Sequence, residues 1–327
     1  MLVVSALNKK IPKVSILVND PISKRAVKSL VDEGFDVVSK ELSPEELLGA
    51  IGDYDVLVVR SRTKVTAQVI QAGSRLKVIA RAGVGLDNVD LNAAKSRGIT
   101  VLNSPEAPSV SVAELVFGLM LSAARSISIA DASIKEGKWL KSSLTGFELR
   151  GKTLGVVGFG RIGKEVAKRA IAFEMRVLAY DVLASSLASA KEIGVEPVGT
   201  NRDAFEKLIR TSDIITIHVP VLPETNHMFG AKEFAMMKKN TIVINASRGE
   251  VIDESAMLNA INENRIGGAG LDVFEHEPPV NLNLVKSPKV VCTPHIGAQT
   301  AEAQEAAGEI ISAKIIEAFK KKGFGGR

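Results

Sequence analysis

With 327 residues, 46% apolar and 24% charged, the chain has the composition of a globular protein and the length of two domains of roughly 150 residues each. No apolar run approaches the ~20 residues of a membrane span, and the opening MLVVSALNKK is too short and wrongly flanked for a signal peptide. The net charge of +5 is spread along the chain without interleaved aromatics, which argues against nucleic acid as a partner and suits a small anionic substrate.

In chain order, short β-branched runs alternate with longer helical patterns. Strands are predicted at 14–18, 56–59 and 76–80. A helix at 43–51 lies between them, where SPEE supplies a cap in Ser43, a proline at the first position and early acids. Residues 110–124 are apolar nearly all the way round, broken mainly by Ser111, Glu114, Gly118 and Ser122. Such a helix is buried, and we expect it to link two domains and to take part in a dimer interface. Further strands are predicted at 153–158, 176–180, 214–219, 241–245, 268–273 and 290–293. This alternation predicts an α/β protein of parallel sheets covered by helices on both faces. The single cysteine, Cys292, excludes an intrachain disulfide and points to a reducing cytoplasm. Lys320, Lys321 and Lys322 are expected to form a frayed, solvated tail.

Two glycine-bearing turns echo each other. RAGVGLD, from Arg81 to Asp87, follows one strand much as GFGRIG, from Gly158 to Gly163, follows another. The first copy has Asn88 where a third glycine would fall, so two similar folds of different duty are expected. The second copy has a full dinucleotide-binding context: strand TLGVV before it, helix RIGKEVAKRAIAF after it, and Asp181 at the end of the next strand, 18 residues past Gly163. Gly158 permits the turn, Gly160 lets the backbone approach a pyrophosphate, Gly163 allows close helix–strand packing, and the helix N-terminus supplies N–H donors. Asp181 would accept from the ribose hydroxyls and repel a 2′-phosphate, with no cation at Val182 or Leu183 to relieve it. The cofactor is therefore expected to be NAD.

Hydride transfer to NAD from a small hydroxylated anion needs a fixed cation for the anionic group, a base for the hydroxyl proton and a group that tunes the base. Of the four histidines, His295 in TPHIG lies just past a strand end, where it is either an acid–base group or an idle loop residue. His276 and His227 are expected at the surface, and His218 in a structural or cofactor-lining role. None of the four has zinc-ligand spacing with another, so no metal is expected. Arg248, pushed out past the strand TIVIN and followed by a glycine, would either clamp a carboxylate or form a surface ion pair. Glu277, before two prolines, would either orient a histidine or remain a solvated loop acid.

Taken together, RAGVGLDNVD, SVSVAEL, GKTLGVVGFGRIG, Asp181, HVPVLPET, INASRG, GLDVFEHEP and TPHIGAQT closely resemble, in order and over nearly the full length, the D-isomer-specific 2-hydroxyacid dehydrogenases. The resemblance implies two Rossmann-like doubly wound domains with an active-site cleft between them. The substrate domain is discontinuous and flavodoxin-like (1–107 plus 297–327, with a final helix near 300–320), and an NAD domain (108–296) is inserted. It implies a catalytic triad of Arg248, Glu277 and His295, in which His295 takes the hydroxyl proton, Glu277 supports the imidazolium and Arg248 binds the carboxylate. Around NAD it places Gly158, Gly160, Arg161, Ile162, Gly163, Asp181, His218, Val219, Pro220, Thr225, Ala246, Ser247, Asp272 and Gly297, with Asp272 on the nicotinamide amide. Family members are usually dimers through the NAD domain.

Within the family, VVRSRTKV, RAGVGLDNVD and IGAQTAEAQ are most similar to the phosphoglycerate dehydrogenases, which implies oxidation of D-3-phosphoglycerate, the first step of serine biosynthesis. Arg60, Ser61 and Arg81 are then candidates for the substrate's anionic groups, together with Val84, Gly85, Arg248 and His295. Glyoxylate or hydroxypyruvate reduction is the alternative in the same family, and an NAD-sensing partner protein the alternative in another class. Pro108 stands where many relatives have Asn, a change expected to alter the hinge. No C-terminal regulatory domain of the kind many relatives carry is expected, nor serine feedback through one.

Overall fold

The computed structural model describes residues 14–322, so the opening MLVVSALNKK lies outside the described residues. Among the described residues, twelve strands form two all-parallel sheets. Strands β1 (Ser15–Val18), β2 (Asp36–Ser39), β3 (Val56–Val59), β4 (Val78–Arg81) and β5 (Thr100–Asn103) make the first. The second contains β6 (Thr153–Val157), β7 (Arg176–Tyr180), β8 (Glu196–Gly199), β9 (Ile214–Ile217), β10 (Ile242–Asn245), β11 (Gly268–Leu271) and β12 (Val290–Cys292). The chain divides into two compact units, residues 14–108 with 299–322 and Ser109–Ala298.

In the first unit the strand order is β2-β1-β3-β4-β5, the flavodoxin-like doubly wound order, whose switch point falls between β1 and β3. Its central strands feed two cores because they are covered on both faces. Leu57 and Val59 of β3 enter one apolar cluster, while Val56 and Val58 enter another with Ile311 and Ile315 of the helix Ala301–Lys322. That helix runs through the basic run, so Lys320 is helical rather than frayed, and its Nζ reaches Glu33 at 2.9 Å. The helix Pro44–Ala50 begins as its sequence requires: Ser43 accepts from Glu46 N, Glu46 returns a hydrogen bond to Ser43 N, and Pro44 takes the first turn.

The second unit's order is β12-β11-β10-β9-β6-β7-β8. From β8 to β11 this is the dinucleotide-binding arrangement, with a switch point between β6 and β9 and β12 added at one edge. The helix Ser109–Arg125 buries Val112, Ala113, Val116, Leu119 and Met120. Gly270 of β11 lets it approach, because a Cβ there would stand 2.9 Å from Leu119 Cβ. Among the described residues no single helix is long and apolar enough to cross a membrane.

Predicted strands are placed to within a residue or two. Three further strands, β2, β5 and β8, were not singled out in the sequence. All three are sheet edges, and their burial is partial, whereas β3, β6 and β9 are buried throughout.

Candidate functional site

In open parallel sheets function gathers at the carboxyl ends of the strands, and the second unit follows this. Crossing its sheet, Asp181 follows β7, Gly158 follows β6, His218 follows β9, Ala246 to Arg248 follow β10, Asp272 follows β11 and His295 follows shortly after β12.

The three glycines have three separate reasons. Gly158 has φ +91°, and a Cβ on it would stand 2.5 Å from His218 O across the switch point. A Cβ on Gly163 would meet Gly158 O at 2.3 Å and Val156 Cγ1 at 3.1 Å, so the helix Arg161–Ala172 sits directly on β6. Gly160 has nothing within 4 Å and caps that helix without a side-chain hydrogen bond. Its missing side chain serves no contact of the protein itself and keeps the start of the helix, at Arg161 and Ile162, clear of a Cβ, as the approach of an anion to a helix N-terminus requires. Asp181 Oδ2 accepts from Phe159 N and Oδ1 from Leu183 N, both at 2.8 Å. The acid therefore shapes the glycine loop and keeps further lone pairs for hydroxyl donors. Val182 and Leu183 beside it, read in the sequence only as lacking a cation, and Leu222 on the loop after β9 are exposed apolar side chains. Only Val182 directly follows the strand-end acid.

His218, directly after its strand, has Nε2 on Thr216 Oγ1 at 2.9 Å and Nδ1 sealed from solvent without a partner. Burial pushes its pKa down to about 3, so it is a neutral group that cannot serve as an acid near neutral pH. The free imidazole titrates near 6.5; the unfolded chain therefore takes up a proton that the folded chain refuses, and stability falls as pH drops from 6.5 towards 3. We expect His218→Gln to flatten this slope over the first one to two units below that value, measured by urea unfolding at a series of pH values. Parallel curves for the two proteins would assign the slope elsewhere. The loop that continues from Val219 and Pro220 is tied by Thr225, whose Oγ1 donates to Pro220 O at 2.6 Å and accepts from Leu222 N at 2.8 Å.

Beyond β10, buried Asn245 organises the turn: Oδ1 accepts from Ser247 N and Oγ, and Nδ2 donates to Arg248 O at 2.8 Å. Arg248 Nη1 donates to Ser247 O at 2.7 Å. Beyond β12, His295 adopts φ +52°, a left-handed conformation unusual for a residue with a Cβ. Asp272 holds it there. Its backbone O accepts from His295 N at 2.8 Å, and its buried carboxylate accepts from Thr293 Oγ1, Ile296 N and Gly297 N at 2.6, 2.8 and 2.9 Å. Gly297 O in turn accepts from Ser111 Oγ at 2.6 Å.

The structure brings His295 and Glu277 together: Nδ1 lies 2.8 Å from Oε2 and 3.0 Å from Oε1. A carboxylate only accepts, which places the proton on Nδ1 and leaves Nε2 as the basic nitrogen. Glu277's loop is braced by a reciprocal pair that sequence reasoning missed, Glu254 N to Glu275 Oε1 at 3.0 Å and Glu275 N to Glu254 Oε1 at 2.9 Å. Surface His227 adds a contact to Glu275 at 3.1 Å, and His276 is exposed.

The second unit carries the sequence signature described as the D-isomer specific 2-hydroxyacid dehydrogenase NAD binding domain, matched over residues 117–297. The chain belongs to that family. It is 50% identical over 307 residues to the D-3-phosphoglycerate dehydrogenase of Methanocaldococcus jannaschii, covering 94% of this chain and 58% of the relative; it thus spans little more than half of that protein's length. It is 48% identical to the hydroxypyruvate reductase of Thermotoga maritima, covering 92% of this chain and 96% of that one. Among solved structures it is similar to the D-lactate dehydrogenase of Aquifex aeolicus complexed with NAD and lactic acid, at 30% identity and a TM-score of 0.77, covering 94% and 95% of the two chains. As a family member the chain takes NAD, and the open space at Gly160, the uncapped helix and Asp181 fit that cofactor.

The remaining candidates lie in the first unit. Arg60 and Ser61 follow β3, Arg81 closes β4, and Val84 and Gly85 lie in the loop after it. Arg60 Nη1 reaches Gln304 Oε1 at 3.5 Å. Gly83 gives the Arg81 guanidinium its place, since a Cβ there would stand 2.1 Å from Nη1. Asn103 Nδ2 pins the loop through Val84 O at 2.7 Å. Pro108 is buried and immediately precedes the helix Ser109–Arg125, where its fixed φ stiffens the chain.

Proposed function

We propose that this protein is a cytoplasmic NAD-dependent dehydrogenase that oxidises D-3-phosphoglycerate at C2 to 3-phosphohydroxypyruvate. The observation that carries this reading is the His295–Glu277 pair at 2.8 Å, set past β11 and β12 beside the Arg248 turn after β10, in the sheet whose β6 carries the glycine loop. Bound NAD supplies the acceptor for the C2 hydride. Nε2 of His295 takes the hydroxyl proton, and Glu277 holds the ring and stabilises its charged form. Arg248 binds the carboxylate and polarises the C2 oxygen as its carbonyl forms. Arg60, Ser61 and Arg81 serve the substrate's anionic groups. The 50% identity to a phosphoglycerate dehydrogenase supports the phosphorylated substrate. The near-full-length match to a hydroxypyruvate reductase favours a second reading, reduction of unphosphorylated 2-oxo acids.

NADH absorbance separates the two. The forward assay takes NAD with D-3-phosphoglycerate; the reverse takes NADH with 3-phosphohydroxypyruvate, hydroxypyruvate or glyoxylate. The proposal expects the phosphorylated pair to be strongly preferred in kcat/KM. Turnover of only the unphosphorylated acids moves the protein to the reductase reading. Silence with all of them, with NADH still bound, leaves an NAD-binding partner protein.

The protein is further proposed to act as a homodimer through the NAD-binding unit. In support, Trp139 is 79% exposed, with Ile127 and Ile134 exposed in the same segment, an apolar load that a monomer surface rarely carries. Light scattering should give a dimer mass, and Trp139→Glu combined with Ile134→Glu should halve it. A monomeric wild-type protein at micromolar concentration would dispose of the dimer.

A further inference from the structure

Two residues that the proposed chemistry does not use, Asp20 and Asn88, meet at one turn of the first unit. The turn 60–63 presents Arg60 and Ser61 at the carboxyl end of β3, beside the switch point. Asp20, 2% exposed just past β1, accepts through Oδ2 from Arg60 N at 2.7 Å and Thr63 N at 3.1 Å. From the loop after β4, Asn88 Nδ2 donates to Arg60 O and Thr63 O, each at 2.7 Å. Both amides at the ends of the turn thus go to one side chain and both carbonyls to the other. Asp20 Oδ1 also accepts from Thr63 Oγ1 at 2.7 Å and Arg62 Nε at 3.0 Å, and Arg62 Nη2 donates to Asn19 O at 2.7 Å. Arg62 is therefore committed to the scaffold. Burial works to raise the Asp20 pKa, but the hydrogen bonds from Thr63, the Arg60 and Thr63 amides and Arg62 outweigh it and hold the carboxyl below its ordinary value, so the carboxylate is charged near neutral pH.

We propose that Asp20 and Asn88 form a two-sided clamp that holds the 60–63 turn in its anion-presenting shape, making both positioning residues that act through Arg60 on substrate affinity. This rests on Arg60 serving the substrate, as proposed above. A turn held from two sides is ordered before the ligand arrives, so binding does not bear that ordering cost. It also explains why Asn88 replaces the third glycine of the echo motif: the loop spends that position on a side-chain amide, where a dinucleotide loop needs close helix packing.

Asn88→Ala, Arg60→Ala and the double variant are assayed with NAD and D-3-phosphoglycerate, and amide exchange over residues 58–66 is followed in wild type, Asn88→Ala and Asp20→Asn. Asn88→Ala should raise KM by roughly tenfold or more with kcat changed less than about threefold. It should add nothing in the Arg60→Ala background, because coupled sites are non-additive. Exchange at Arg60 and Thr63 should accelerate by about tenfold in both clamp variants. An unchanged KM, full additivity with Arg60→Ala, or unchanged exchange in folded variants would each overturn the clamp. A wild type that turns over no hydroxy acid fails the functional reading instead, and the exchange measurement still decides whether the clamp exists.

Discussion

His295→Ala should lower kcat by about a thousandfold, in the range expected for losing a positioned general acid–base group, while NADH binds as tightly as before. Nε2 is the basic nitrogen because Glu277 occupies Nδ1 at 2.8 Å, and among the described residues no other histidine is equipped to replace it. His218 is held neutral by burial, and His227 and His276 are exposed on other loops. Cofactor affinity should survive because the glycine loop and Asp181 make their contacts without His295. The measurement is a saturating kcat beside an NADH fluorescence titration. Turnover within tenfold of wild type would remove His295 from the chemistry.

Gly249→Ala should cost about 3 kcal/mol of stability, the upper end for forced overpacking, and should disable the triad as well. A Cβ at Gly249 would stand 1.9 Å from both the carbonyl carbon and the oxygen of Phe274, and 2.5 Å from Glu275 N. These are backbone atoms, so no rotamer change can make room. The loop carrying Arg248 and the loop carrying Glu277 would have to move apart, and loss of alignment by as little as ~1 Å is enough to cost about a hundredfold in rate. Thermal unfolding would show the first effect and kcat/KM the second. A variant with wild-type melting and wild-type kinetics would mean the two loops are not in register through this glycine.

The fold was legible where strands lie inside a sheet. VLVV of β3 and TLGVV of β6 are buried throughout, and a strand covered on both faces needs an unbroken apolar run. The edge strands DVVS, TVLN and EPVG need only part of that burial, so their composition merges with the loops around them. The helix at 43–51 was visible because its cap is local, written within four residues. The tail at Lys320 was misread for the opposite reason. Its helix is held by Ile311 and Ile315 packing on strands far away in the chain, which no local pattern shows.

Some of the candidate site could be read from one segment at a time. Gly158, Gly160, Gly163 and Asp181 announce a dinucleotide because their requirements, a turn, an approach, a packing contact and an acid at the next strand end, fall within a single strand–helix–strand unit. Asp272, Asn245, Glu254 and Glu275 were not visible in their positioning roles. Each acts mainly on backbone amides or carbonyls, and backbone partners leave no trace in composition. The same holds for Asp20 and Asn88, which converge on one turn from two strands on either side of β3.

The sequence by itself thus determined the central strands, the glycine loop with its acid, and the family, because periodicity and motif spacing are properties of contiguous chain. Tertiary structure alone decided which strand ends stand side by side, and with that the meeting of His295 with Glu277, the contact of Gly249 with Phe274 and the grip on the 60–63 turn. The reason is strand order: parallel crossovers place segments far apart in the chain on neighbouring strands, and a reading along one dimension carries no record of which neighbours result.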